Sequence, residues 1–287
     1  MKLTLLGLGL LSFTATALAA QPAIDYRDHL GMQMWSLRDT AKTDMKAAFD
    51  LVKGYGLKEI EVAGLGNLTV EQYIAEMKAR GLVAVGMHAN YDAMKKDLPG
   101  LIATTKALGA KYLVCPWISH PKEGFTEELA HQVAADFNAW GKIAREAGLH
   151  LGLHPHGFEF VLTKAGNGET MFDIIARETA PENLCFEMDV FWVFHAGQDP
   201  VKLLKKYGDR WKLLHLKDIR KGAVTGLSSG SAPPTDNVPV GDGQIDWPAV
   251  LRTSQEIGVK HYIIEDETPA PLQCIPASLK YLRGLKL

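Results

Sequence analysis

The stretch Leu149-His150-Leu151-Gly152-Leu153-His154-Pro155-His156-Gly157-Phe158-Glu159-Phe160 decides how this chain is read. Its first five residues form a short, mostly apolar run, the pattern of a buried strand. Pro155 has no N–H to give to a sheet ladder, so the strand should end there. Three side chains that can hold a metal or move a proton, His154, His156 and Glu159, then arrive within six positions. They are expected at the carboxyl end of a strand, where α/β folds place their chemistry. The plainer alternative is a polar loop whose imidazoles satisfy backbone carbonyls. Three later strands that end in the same way speak against it.

Outward from this stretch the chain alternates strand and helix. Strands are predicted at Leu30–Trp35, Lys58–Val62, Leu82–His88 and Lys111–Cys115 before it, and at Leu184–Asp189, Trp211–Lys217 and Tyr262–Glu265 after it. Helices fall between them. One runs from Asp39 to Lys53, one is capped by Thr69 and stopped at Gly81, and one runs to Leu108 with a break near Pro99. Another opens at Thr126 and stops at Gly148, with shorter ones at Glu169–Arg177, Pro200–Lys206 and Trp247–Ile257 and a last one ending near Leu282. Eight such units with mostly short connections fit a closed (β/α)8 TIM barrel in the α/β class. A doubly wound open sheet is the alternative. It is disfavoured because the count stops at eight and no Gly-rich phosphate fingerprint follows the first strand. The segment from Lys221 to Gly243, rich in Gly, Ser and Pro, reads as a loop over the mouth.

The chain has 287 residues, 47% of them hydrophobic, and a formal net charge of −2. It can therefore bury a sizeable core, and no general electrostatic case for nucleic acid exists. Residues 1–19 read as a secretory signal peptide: Lys2, an apolar run, then Ala17-Leu18-Ala19, with cleavage after Ala19. Residues 20–287 form one barrel domain, expected to be secreted or periplasmic and without a stable membrane anchor. Of the three cysteines, Cys115 and Cys185 lie inside apolar runs and read as buried small residues rather than nucleophiles.

The predicted strand ends carry a set of ionisable and aromatic residues. They are Gln33 and Trp35, Glu61, His88 and Asn90, Trp117, then His154, His156 and Glu159, then Asp189 and Trp192, His215, Lys217 and Asp218, and finally Glu265, Asp266 and Glu267. Burying such acids and imidazoles is costly unless they are paired. A ring of them makes sense around one divalent cation, Mn2+, Zn2+, Co2+ or, with added waters, Mg2+. The expected ligands are Glu159, Asp189, His215 and Glu265, with His154 or His156 as alternatives to Glu159. An ordinary ring of ion pairs is the competing reading.

Several pieces together resemble the xylose-isomerase-like barrel superfamily, in its sugar phosphate isomerase/epimerase branch. They are Gln33-Met34-Trp35-Ser36-Leu37-Arg38-Asp39, the His154–Phe160 heptad, Met188-Asp189-Val190, Ala196–Pro200, His215-Leu216-Lys217-Asp218, Gly241–Trp247 and Ile264–Glu267. The resemblance implies a divalent metal held from strands five to eight, a pattern that Asp189, His215 and Glu265 match. The first ligand of the family is commonly a Glu at the end of strand five, where this chain has His154. Trp192 stands where many relatives carry a substrate-binding His, which implies an altered sugar pocket or a substrate with an apolar face.

The function expected is a metal-dependent isomerase or epimerase of a keto-sugar or polyol ketone, acting by proton abstraction and a metal-stabilised enediolate. Glu159 and Glu265 would move the proton and Lys217 would offset negative charge. Trp35, Glu61, His88, Trp117, His154, His156 and Trp192 would bind the substrate. The alternative is a dehydratase or lyase on a 3-keto-glycoside or inosose, which shares the first proton abstraction. A non-enzymatic sugar-binding module explains the tryptophans but not the ring of acids. An apurinic-site endonuclease would need surplus metal ligands and a basic face that the sequence does not offer. The partner expected is a small-molecule carbohydrate, with self-association left open.

Overall fold

The computed structural model describes residues 25–122 and 124–287; the expected signal peptide lies outside the described residues. Eight parallel strands close on themselves: β1 (Leu30–Gln33), β2 (Glu59–Val62), β3 (Val83–His88), β4 (Tyr112–Cys115), β5 (His150–Leu153), β6 (Cys185–Asp189), β7 (Trp211–Leu216) and β8 (His261–Ile264). Their order around the barrel is β1-β8-β7-β6-β5-β4-β3-β2, with β1 paired to both β2 and β8. The fold is a single (β/α)8 barrel. No helix of the described residues is long and apolar enough to cross a membrane.

Local chemistry sets the helix ends. Thr69 and Gln72 form a reciprocal capping box ahead of the helix Val70–Ala79, and Thr126 caps Glu127–Glu146 by accepting from Leu129 N. The predicted break near Pro99 appears as a kink at Asp97 inside Tyr91–Ala107. Two expectations are corrected, and one helix is added. The first strand stops at Gln33, because the Gln33 side chain accepts from Trp35 N and opens a 3-10 turn over Met34–Leu37. The helix predicted over Asp39–Lys53 is two helices, Arg38–Thr43 and Met45–Gly54, split where the Asp44 carboxylate caps the second. A short helix, Val190–His195, follows β6 directly, with Asp189 as its N-cap.

Alternation along the strands sorts side chains into two environments. One set faces the helices and joins the large apolar core, which includes Phe186, Met188, Leu214 and Leu216. The other faces the barrel axis. Midway along the axis, Tyr112, Val114, Cys185 and Leu213 make a small apolar cluster of their own. That plug divides the barrel interior into a carboxyl-terminal mouth and an amino-terminal base. All three cysteines are free thiols, and Cys115 and Cys185 are buried.

The Lys221–Gly243 segment is tied down at its root by Asp218. One Asp218 oxygen accepts from Gly241 N, Gly243 N and Trp247 Nε1, and the other from Ile219 N. A two-residue ribbon, Asp218–Ile219 with Asn237–Val238, and hydrogen bonds from Arg220 to Asp236 hold it further in. At its far side Gly230 lies over the mouth, where an added Cβ would come 2.9 Å from Phe158 and 3.3 Å from Trp117.

Candidate active site

Strand parity builds the site. Residues two apart on a strand face the same side, so Glu187 and Asp189 of β6 both point along the axis. His215 on β7 does the same, with Lys217 just beyond the strand. Gly86, on β3, makes room for its neighbour on β2: a Cβ there would stand 2.6 Å from Glu61 Oε1. These side chains meet in one buried network. His215 Nε2 lies 2.7 Å from Glu61 Oε2 and 3.3 Å from Glu187 Oε2, and its Nδ1 lies 3.3 Å from Glu265 Oε2. His88 Nε2 is 2.9 Å from Glu187 Oε2, and His154 Nδ1 reaches the same oxygen at 2.9 Å. Gln33 Nε2 donates to Glu61 Oε2 at 2.8 Å. Lys217 Nζ stands 3.4 Å from Glu265 and 3.7 Å from Asp189, and donates to Glu267. Its ammonium also sits over the rings of Phe191 and Trp192.

Electrostatics follow from this crowding. Burial disfavours charge on Glu187 and Glu265, yet His215 beside the first and Lys217 with His215 beside the second hold both carboxyls well below the usual range. Burial dominates at Asp189 and raises its carboxyl despite Lys217 and His154. Burial also opposes the positive charge of Lys217, but Glu265, Asp189 and Glu267 outweigh it and keep the ammonium protonated. At His156 burial, followed by His154 and Lys217, drives the imidazole well below its ordinary value, so it is neutral.

A divalent cation fits this donor set. His154, Asp189, His215 and Glu265 each offer a ligand atom, and these atoms lie within 4.8 Å of one another. His88, His154, Glu187 and His215 form an overlapping deeper group. Asp189 Oδ2, Glu187 Oε1 and Glu61 Oε1 are buried without a hydrogen-bond partner. Orphaned carboxylate oxygens at this depth are costly unless a cation serves them. The first two imidazole and two carboxylate donors suit a borderline ion.

Among the expected ligands, Asp189, His215 and Glu265 come together. Glu159 does not join them; His154, the alternative at the end of β5, stands in the group instead. Gly157, at φ +99°, turns the chain back after the strand. Glu159 Oε2 then accepts from the His156 and Gly157 amides at 3.0 Å each, within its own loop. Burial pushes its carboxyl up to about 8 against those two hydrogen bonds. Glu187 was not singled out from the sequence, because it is hidden in an apolar run. The signal that could have found it is its two-residue spacing from Asp189.

Above the network lies a cavity of about 660 Å3, within the range of small-molecule pockets. Trp35, His88, Trp117, His154, His156, Trp192 and Glu265 all line it. Glu61 lies beneath, fully buried. Two polar atoms of lining residues, His156 Nδ1 and Trp192 Nε1, are buried with no partner. Trp35 Nε1 donates to Glu267 at 2.9 Å on the rim.

The chain is similar to an inosose dehydratase of Klebsiella pneumoniae, 29% identical over 202 residues, which cover 62% of this chain and 66% of that protein. The match thus spans just under two thirds of that relative's length. In fold it is similar to a sugar phosphate isomerase/epimerase of Parabacteroides distasonis, with a TM-score of 0.74 at 24% identity over 90% of this chain and 98% of the other. It is also similar to an IolI protein with a bound zinc atom, with a TM-score of 0.66 at 17% identity over 89% and 95% of the two chains. The model of the xylose isomerase-like TIM barrel family matches residues 49–285. With most of the barrel inside that match, the chain belongs to the xylose isomerase-like TIM barrel family.

Proposed function

We propose that this protein is a metal-dependent enzyme that removes a proton beside the carbonyl of an unphosphorylated cyclic polyol ketone and eliminates water. The observation that carries this reading is the buried cluster of His154, Asp189, His215, Glu265 and Lys217, of which His154 and Glu265 line a tryptophan-walled pocket. The likeness to inosose dehydratases supports elimination as the outcome. His154, Asp189, His215 and Glu265 would hold the cation, which would polarise the substrate carbonyl.

The rest falls to the chain itself. Glu265, ionised and at the cavity floor, takes the carbon-bound proton. Lys217, beneath the cavity lining and 3.4 Å from Glu265, keeps that carboxylate ionised for the step. The electron pair left on carbon forms the new C=C bond as the β-hydroxyl departs, and with the abstracted proton it makes up one water. His156 and Trp192, each with a buried unpartnered nitrogen, hydrogen-bond ring hydroxyls. No Lys or Arg lines the cavity among the described residues. Lys217 is already matched by three carboxylates. A phosphate would find no cationic side chain on the cavity wall, which favours a neutral polyol.

An isomerase or epimerase is the second reading, supported by the likeness in fold to sugar phosphate isomerase/epimerase. There the proton returns to carbon instead. Incubation with inososes and 3-keto-glycosides in D2O tests both. Elimination gives products lighter by one water in the mass spectrum; deuterium incorporation without water loss points to the second reading. Lys217→Met should abolish both. If the wild type shows neither exchange nor elimination with any of them, the catalytic reading falls.

A further inference from the structure

The opposite end of the barrel carries a second cluster of ligand-type side chains. His29 ends the 3-10 turn Tyr26–His29 that leads into β1, Glu59 opens β2, and His261 opens β8. One Glu59 oxygen lies 3.1 Å from His29 Nδ1, and the other 2.7 Å from His261 Nδ1. One ligand atom from each of the three residues lies within 4.8 Å of the other two. No Lys or Arg is within ion-pair distance of Glu59 among the described residues. Gly31 opens the space, since a Cβ there would sit 3.0 Å from Glu59 Cβ and 2.7 Å from Ile263 Cδ1. The site is cut off from the mouth by the Tyr112, Val114, Cys185 and Leu213 plug, with the Tyr112 ring edge-on to His261 at 5.7 Å. On the other side it meets solvent, with the His29 side chain 38% exposed.

We propose that His29, Glu59 and His261 bind a second divalent cation, of the Zn2+ or Co2+ class, at the base of the barrel. Two imidazole nitrogens and one carboxylate form a donor set suited to such ions, and the solvent side leaves a position for water. Mg2+ and Ca2+, which prefer all-oxygen shells, are poorly served. The ion's role is structural. β1 is hydrogen-bonded to β8 on one side and β2 on the other, so one ion ties together three neighbouring strands, including the first and the last of the barrel. The base of such barrels is the face associated with stability rather than chemistry. The alternative is that Glu59 simply accepts from two imidazoles and needs no metal.

Zn2+ uptake by the tag-free, chelator-stripped full chain decides between them. The wild type should take up one ion more than His261→Ala or Glu59→Gln, with far-UV circular dichroism unchanged. In the mouth-disabled background His215→Ala/Glu265→Ala, about one Zn2+ per chain should remain, and adding His261→Ala should remove it. In that background Zn2+ at a hundredfold excess over its Kd should raise Tm by about 5 °C. Equal uptake by wild type, His261→Ala and Glu59→Gln would overturn the proposal. So would a folded mouth-disabled protein that takes up no Zn2+. If the double mouth variant does not fold, the wild-type and base-variant stoichiometries decide alone.

Discussion

The mouth and the base of this barrel use the same residue types to different ends. At the mouth, His88, His154, Glu187, Asp189, His215 and Glu265 are drawn from five strands and the residues that follow them, and most are fully buried with carboxylate oxygens left over. At the base, His29, Glu59 and His261 come from three adjacent elements, and both carboxylate oxygens are matched to an imidazole. Burial turns the first group into a site that needs something from outside. Partial hydration leaves the second able to stand alone, with an ion as an addition. Depth and the balance of donors to acceptors, more than composition, separate chemistry from support in this molecule.

Four substitutions sharpen or break that contrast. The largest effect is expected of His215→Ala, which removes one of the two imidazoles shared by both mouth groups. Metal content at the mouth and turnover should fall together by about 100-fold or more, with far-UV circular dichroism nearly intact. A variant that keeps both would break the assignment of the mouth. Next comes Glu187→Gln, which changes the acid that His88, His154 and His215 converge upon. Mouth metal affinity should drop about 10- to 100-fold by titration, with the ligand residues themselves unchanged.

Glu159→Gln should act through pH. The folded protein holds the Glu159 proton until about pH 8, well above the ordinary carboxyl range. The unfolded chain releases it earlier, so the wild type loses stability as pH rises from the ordinary carboxyl range through about 8. Glutamine has no proton to lose. In urea unfolding the variant should gain on the wild type by about 1–3 kcal/mol between pH 5 and pH 9; a constant difference would show that Glu159 is already ionised in the fold. The smallest effect is expected at the base. In metal-free protein His261→Ala should cost less than about 1 kcal/mol, the range of partly exposed ion pairs. Its kcat should stay within about twofold of wild type. A large loss of turnover would join the base to the mouth.

Much of this was legible in the sequence. The eight strands, the Thr69 and Thr126 caps and the stop at Pro155 follow from apolar runs and their punctuation, which local chemistry reads well. Asp189, His215 and Glu265 could be placed because each lies at or next to the end of a strand whose parity is fixed. Glu159 could not, because parity ends with the strand: six residues beyond Leu153 the chain has already turned at Gly157. Glu187 was lost for the opposite reason. It lies mid-strand between Phe186 and Met188, where an acid looks like an exception to an apolar run, and only closure of the barrel gives its side chain somewhere to go. The His29, Glu59 and His261 cluster was beyond reach for the same reason, since the first and last strands become neighbours only when the barrel closes.

Asp218 fastens both ends of the long crossing over the mouth to one carboxylate. That makes the crossing a cassette. Residues between its two fixed ends can be lengthened, shortened or exchanged while the barrel and its buried network keep their places.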